Sequence, residues 1–199
     1  MYNDPKFNVI LLSPGRTGGR LISTFFTKIT NLTPYLRTYS QNIKPLEPKQ
    51  LLHSHDPTDI KLGNKHTLYI LSTRNLIDAT FSYIIGHQYQ SWHYYNHTKH
   101  NIIPFNISTE DFYNHYMRSV RFYEGFQKNK PYSYLQIDYS EFVDDERKLF
   151  SILKLNEFAY KFRPKHEIPI KTPGTYRDWI INFDEIYEYA LTLKIDKLF

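Results

Sequence analysis

The chain has 199 residues, enough for one domain with a buried core and short for two, and it reads as a single domain over 1–199. Hydrophobic residues make up 41% and charged residues 23%, a globular composition, and the absence of Cys excludes disulfides, thiolate metal sites and Cys nucleophiles. Lys and Arg number 25 against 20 Asp and Glu, a net charge of +5 that suits an anionic ligand and is too dispersed to argue for nucleic acid.

Aromatics are abundant at 17%, with 18 Tyr and 14 Phe, so pockets lined by rings are expected beside the core. No apolar run approaches the ~20 residues of a membrane span. Met1–Lys6 does not read as a signal peptide, and the expected compartment is the cytoplasm.

In chain order, Asn8–Ser13 predicts a buried strand, Pro14–Gly19 a turn, and Arg20 to about Ile29 a helix. Gln50–His55 predicts a second strand and His66–Thr73 a third. Asn75 with Asp78 marks a helix start, and that helix runs to about Tyr89. Trp92–Phe105 reads as an aromatic loop. Ser108 with Asp111 opens a helix to about Lys128, Ser133–Asp138 is a short strand, Ser140–Leu155 a helix, and Phe183–Leu193 a final helix. The alternation predicts an α/β fold: three α/β/α layers around a mostly parallel sheet.

Two segments carry chemistry. Ser13-Pro14-Gly15-Arg16-Thr17-Gly18-Gly19-Arg20 joins a strand to a helix. Glycines there let backbone amides approach an anion, and the helix N-terminus adds N–H groups and partial positive charge. The loop is P-loop-like but not a Walker loop, since Gly19 is not followed by Lys and a hydroxyl residue. Farther on, Arg74 closes a strand and Ser82 lies two helical turns later, so both can reach one phosphate.

These segments resemble the sulfotransferases that use 3′-phosphoadenosine 5′-phosphosulfate (PAPS). In that family a loop of Pro, a basic residue, a hydroxyl residue and Gly follows the first strand; Arg16, Thr17 and Gly18 match it. Gly15, Gly19 and Arg20 depart from it, Arg20 standing where a hydroxyl residue is usual. The family's second motif places Arg, Asn, Pro, Asp and Ser at a later strand-to-helix junction; Arg74, Asn75, Asp78 and Ser82 match, with Leu76 replacing Pro. Leu135–Phe142 is similar to a strand followed by Tyr-Glu-Asp-Leu, and Gly174–Trp179 to a late Gly-Asp-Trp segment.

The resemblance implies that Arg16, Thr17, Gly18, Gly19 and Arg20 hold the 5′-phosphosulfate, with Arg16 neutralising charge on the leaving oxygen. It implies that Arg74 and Ser82 hold the 3′-phosphate, with Lys171 or Arg177 as a candidate supplement, and that Tyr139 borders the adenine. His53-Ser54-His55-Asp56-Pro57 is similar to the family's Lys-Thr-His-x-Pro strand end, which makes His55 the candidate general base and His53 the alternative. No metal is expected; His93, His97 and His100 have ligand-like spacing but no carboxylate beside them. The expected acceptor is a small molecule, carbohydrate, lipid or peptide offering a hydroxyl or amine. Other readings are a kinase-like nucleotide-binding enzyme and a non-catalytic module that binds the product 3′-phosphoadenosine 5′-phosphate (PAP).

Overall fold

A computed structural model describes residues 7–29, 32–35, 45–89, 103–145, 147–153 and 175–193. Asn8-Val9-Ile10-Leu11-Leu12 forms strand β1, and all five residues are buried. A run that is apolar on both faces belongs at the centre of a parallel sheet, where helices cover both sides. It lies there: β1 pairs in parallel with β3 (Gln50–Ser54) on one side and β4 (Thr67–Thr73) on the other. The five strands run in the order β2-β3-β1-β4-β5, all parallel, with β2 at Thr33–Pro34 and β5 at Leu135–Asp138.

The fold is the expected α/β/α arrangement. Helix α1 (Gly19–Ile29) turns Ile22, Phe25 and Phe26 toward Val9 and Leu11 on one face of the sheet. Phe25 meets Phe150 of α4 (Lys148–Ile152) edge to face, with centroids 4.8 Å apart. On the other face, α3 (Thr109–Asn129) sets Phe122, Tyr123 and Phe126 against Ile10, Leu12 and Leu71. Helix α2 (Leu76–Gln88) packs Phe81, Ile84 and Ile85 against α3, α5 (Tyr176–Trp179) and α6 (Phe183–Thr192). Burying each such side chain stabilises the fold by about 1.5–3 kcal/mol.

Several elements differ from the sequence reading. The helix expected over Ser140–Leu155 is broken. Asp138 accepts from Ser140 N and Glu141 reaches back to the Asp138 N–H, closing a 3-10 turn at Tyr139–Glu141. Asp145 then accepts from the Arg147 N–H and guanidinium, and among the described residues of this stretch only Lys148–Ile152 is α-helical. Asp side chains that bond nearby backbone N–H groups offer the chain an alternative to helix, which explains the break. Strand β2 was not expected: it has two residues, one of them Pro34, which an edge strand tolerates. A 3-10 helix at Pro57–Leu62, capped by Asp56 through the Thr58 N–H, also went unread. Within the aromatic loop, Phe105 pairs with Ile180 as a β-bridge; residues 90–102 lie outside the described ones.

From β1 the chain crosses to β2 and β3, then returns past β1 to β4 and continues outward to β5. The connections therefore diverge between β1 and β4. In open α/β sheets that divergence leaves a crevice at the carboxyl ends of the strands, where ligands bind. The β1–α1 turn and the β4–α2 junction border it. No described helix is long and apolar enough to cross a membrane.

Candidate functional site

The turn between β1 and α1 is bent twice through left-handed backbone, at Arg16 (φ 69°) and Gly18 (φ 82°). A Cβ at Gly18 would stand 2.7 Å from the Tyr139 ring and 2.8 Å from Phe142, so glycine is required there for space as well as for φ. Arg16 has no such exemption, and its conformation costs about 1–2 kcal/mol. Hydrogen bonds from its surroundings and within it hold the turn in place. Arg74 Nη1 donates to the Arg16 carbonyl at 3.1 Å, Ser72 Oγ donates to the Thr17 carbonyl, and Thr17 Oγ1 donates to the Pro14 carbonyl at 3.0 Å. The Thr17 hydroxyl is thus engaged in closing the turn and is buried.

Strained backbone held from outside is a signature of functional sites. Here the turn leads into the first residues of α1, Gly19 and Arg20, whose N–H groups have no partner within the helix. Arg20 is solvent-exposed on that first turn.

The β4–α2 junction closes on the same turn. Arg16 Nε donates to Ser82 Oγ at 2.9 Å, and Ser82 is buried on α2. Asn75 caps that helix by accepting from the Ile77 and Asp78 N–H groups. Arg74 lies with its guanidinium carbon 4.5 Å from the centre of the Tyr139 ring. The structure therefore brings Arg16, Arg74, Ser82 and Tyr139 together from three separate segments. Burial raises the Tyr139 hydroxyl above the ordinary phenol value, against the opposing pull of Arg74 and Arg16.

Sequence reasoning missed Tyr176. Its hydroxyl accepts from Arg74 Nη2 at 2.8 Å and donates to the Asp78 carbonyl at 3.0 Å, tying the last part of the chain to the junction. Burial pushes this phenol up to about 12, so it stays neutral and keeps both bonds. No local signal marks Tyr176, because its partners stand about a hundred positions away. Its neighbour Arg177 turns elsewhere: it pairs with Asp184 at 2.5 Å and covers the Phe183 ring. Lys171 lies outside the described residues.

The end of β3 flanks the turn on its other side. His53 Nε2 pairs with Ser13 Oγ at 2.8 Å, and His55 Nδ1 donates to the Ser13 carbonyl at 2.6 Å. The two rings meet edge to face, 4.9 Å apart. A carbonyl can only accept, so Nδ1 of His55 carries the hydrogen. In the neutral ring the lone pair is then on Nε2. His55 is exposed, whereas His53 is half-buried against Ser13 and Gly19. Of the two, His55 is the ring open to solvent. Below it, Ser54 Oγ donates to the fully buried Asp59 at 2.6 Å and accepts from the Asp56 N–H, fixing the strand end.

Among the described residues no cluster of three His, Asp or Glu could hold a metal. His93, His97 and His100 lie outside those residues. The chain matches no protein-family model and no curated protein. The functional reading therefore rests on the arrangement of Arg16, Arg74, Ser82 and His55 itself.

Proposed function

We propose that this chain is a PAPS-dependent sulfotransferase. The observation that carries the reading is the meeting of Arg16, Arg74 and Ser82 around one left-handed turn at the sheet's switch point. Two arginines, a hydroxyl and the N-terminus of an eleven-residue helix suit a ligand with two separate phosphate groups. The residues fit such a group: Gly18 lets the turn bend tightly against the Tyr139 and Phe142 rings, and Arg74 lies beside it over the Tyr139 ring. When bound, PAPS supplies the activated sulfuryl group and a stable bisphosphate leaving group.

The chain's own residues do the rest. Backbone N–H groups at the start of α1 and the Arg16 guanidinium offset negative charge at the 5′ end. Arg74 and Ser82 bind the 3′-phosphate, which distinguishes this nucleotide from ATP. His55, oriented by its Nδ1–H on the Ser13 carbonyl, takes the acceptor's proton at Nε2. Catalysis of this kind depends on positioning and on charge stabilisation.

The test is calorimetric titration with PAP, with ATP and Mg²⁺, and with the 3′-dephosphorylated analogue, on the native chain and on Ser82→Ala and Arg74→Ala. PAP is expected to bind at least about tenfold more tightly than the analogue, and Arg74→Ala to erase the difference. Equal binding of all three would refute the proposal. Preference for ATP with Mg²⁺ would replace it with a kinase-like reading.

A further inference from the structure

Arg74 stands just past the end of β4, half-buried at the edge of the turn. A guanidinium carries five N–H donors in a rigid fork. Nη1 gives one of them to the Arg16 carbonyl at 3.1 Å, and Nη2 gives one to the Tyr176 hydroxyl at 2.8 Å. The fork lies over the Tyr139 ring, which itself lies against Gly18. Among the described residues no carboxylate pairs with Arg74. Its charge is therefore held in one orientation without being neutralised.

Tyr176 is built for that task. The Asp78 carbonyl can only accept, so the Tyr176 hydroxyl hydrogen points there, at 3.0 Å, and the lone pairs of the oxygen face Arg74. In the chain from Arg74 through Tyr176 to Asp78 each bond polarises the next. A carboxylate in this place would hold the fork equally well but would offset its charge. A buried, neutral phenol holds it and leaves the charge for an anion.

The Tyr176 ring is fixed in turn. Its centre lies 5.4 Å from that of Phe81 and 6.2 Å from that of Phe183. Helix α5 behind it is anchored by the capping box of Thr175 and Asp178, by buried Trp179, and by the bridge between Ile180 and Phe105. Rigid backing of this kind is what keeps a binding group in its productive geometry.

We propose that Tyr176 is a positioning residue for recognition of the 3′-phosphate, an inference that rests on the sulfotransferase reading: its hydroxyl sets the Arg74 fork before the nucleotide arrives. The entropy lost in ordering a long side chain is then lost on folding rather than on binding. The coupling is reciprocal. A 3′-phosphate that favours the set fork also favours the docked Tyr176, so the nucleotide stabilises α5 against local opening.

The test compares affinities for PAP and for the 3′-dephosphorylated analogue, by calorimetry, in the native chain, Tyr176→Phe, Arg74→Ala and the double variant. Phe keeps the ring and its contacts with Phe81 and Phe183 and removes one oxygen. The preference for PAP is expected to fall about fivefold in Tyr176→Phe. With Arg74 already replaced, the second substitution should change it no further. A purely structural loss would weaken both ligands alike and leave their ratio unmoved.

A second readout needs no substitution. The Ile180 N–H donates to the Tyr176 carbonyl at 2.9 Å, and its hydrogen exchange should slow about fivefold more with saturating PAP than with saturating analogue. A native preference for PAP that Tyr176→Phe leaves unchanged would overturn this inference alone. So would a fall that recurs in full in the Arg74→Ala background, or equal protection of Ile180 by the two ligands. A native chain that does not prefer PAP would remove the sulfotransferase reading and this inference with it.

Discussion

Replacing Gly19 with Ala separates helix propensity from tertiary packing, because the two give opposite signs. Gly19 is the first residue of α1, and Ala within a helix is favoured over Gly by roughly 0.5–1 kcal/mol. In the folded chain, however, the new Cβ would stand 2.4 Å from both Ser13 Oγ and His53 Nε2, and 3.0 Å from Ser13 Cβ. The imidazole tip can yield, but Ser13 is fixed at the end of β1 and only 1% exposed. Overpacking of this kind costs about 1–3 kcal/mol. Parting Ser13 from His53 costs about 1 kcal/mol more. The net expectation is a destabilisation of about 1–3 kcal/mol.

The assay is urea unfolding of both proteins, read at constant m so that a midpoint shift reports stability. The same substitution in a His53→Ala background should cost less, because one of the two close atoms is gone, and the difference between backgrounds measures the coupling. An unchanged or raised midpoint for Gly19→Ala would refute the packing argument. It would equally undo the placement of His53 on Ser13, and with it the account of how the end of β3 is held.

Two further outcomes are expected. Gly18→Ala combines a left-handed φ with close contact to the Tyr139 and Phe142 rings, and should destabilise by about 2–4 kcal/mol; a midpoint within about 0.5 kcal/mol of the native one would contradict the turn geometry. Burial raises Tyr176 to about 12 and also raises Tyr139 and Tyr123, whereas phenols of the unfolded chain ionise near 10. Stability from these groups should therefore be complete below pH ~10 and be lost as pH climbs from there through about 12. Unfolding midpoints measured from pH 9 to 11.5, with tyrosinate absorbance, should fall over that range, and less steeply in Tyr176→Phe; a flat profile would contradict the burial of these hydroxyls.

Much of the fold is legible in short stretches. The run from Val9 to Leu12 is apolar throughout, so it announces a strand covered on both faces. The caps Asn75 and Ser108 are local chemistry, each accepting backbone N–H groups of its own helix. The helix expected over Ser140–Leu155 failed for an equally local reason: its hydrophobic spacing is helical, but Asp138 and Asp145 capture nearby N–H groups and end the pattern. Periodicity reports which side chains want burial, and Phe142, Leu149 and Phe150 are buried; it does not report the competing backbone partners.

The sequence by itself determined the residue types at the candidate site: a Gly-rich turn after a strand, Arg74 at a strand end, Ser82 two turns into the next helix, and His55 before a proline. Tertiary structure alone decided what each of them touches. Ser82 holds Arg16 rather than standing apart from it, and Tyr176 joins Arg74 to Asp78. Spacing along a helix or strand is fixed by backbone geometry and can be counted. Contacts across some 60 to 100 positions depend on strand order and helix packing, which arise from burial summed over the whole chain.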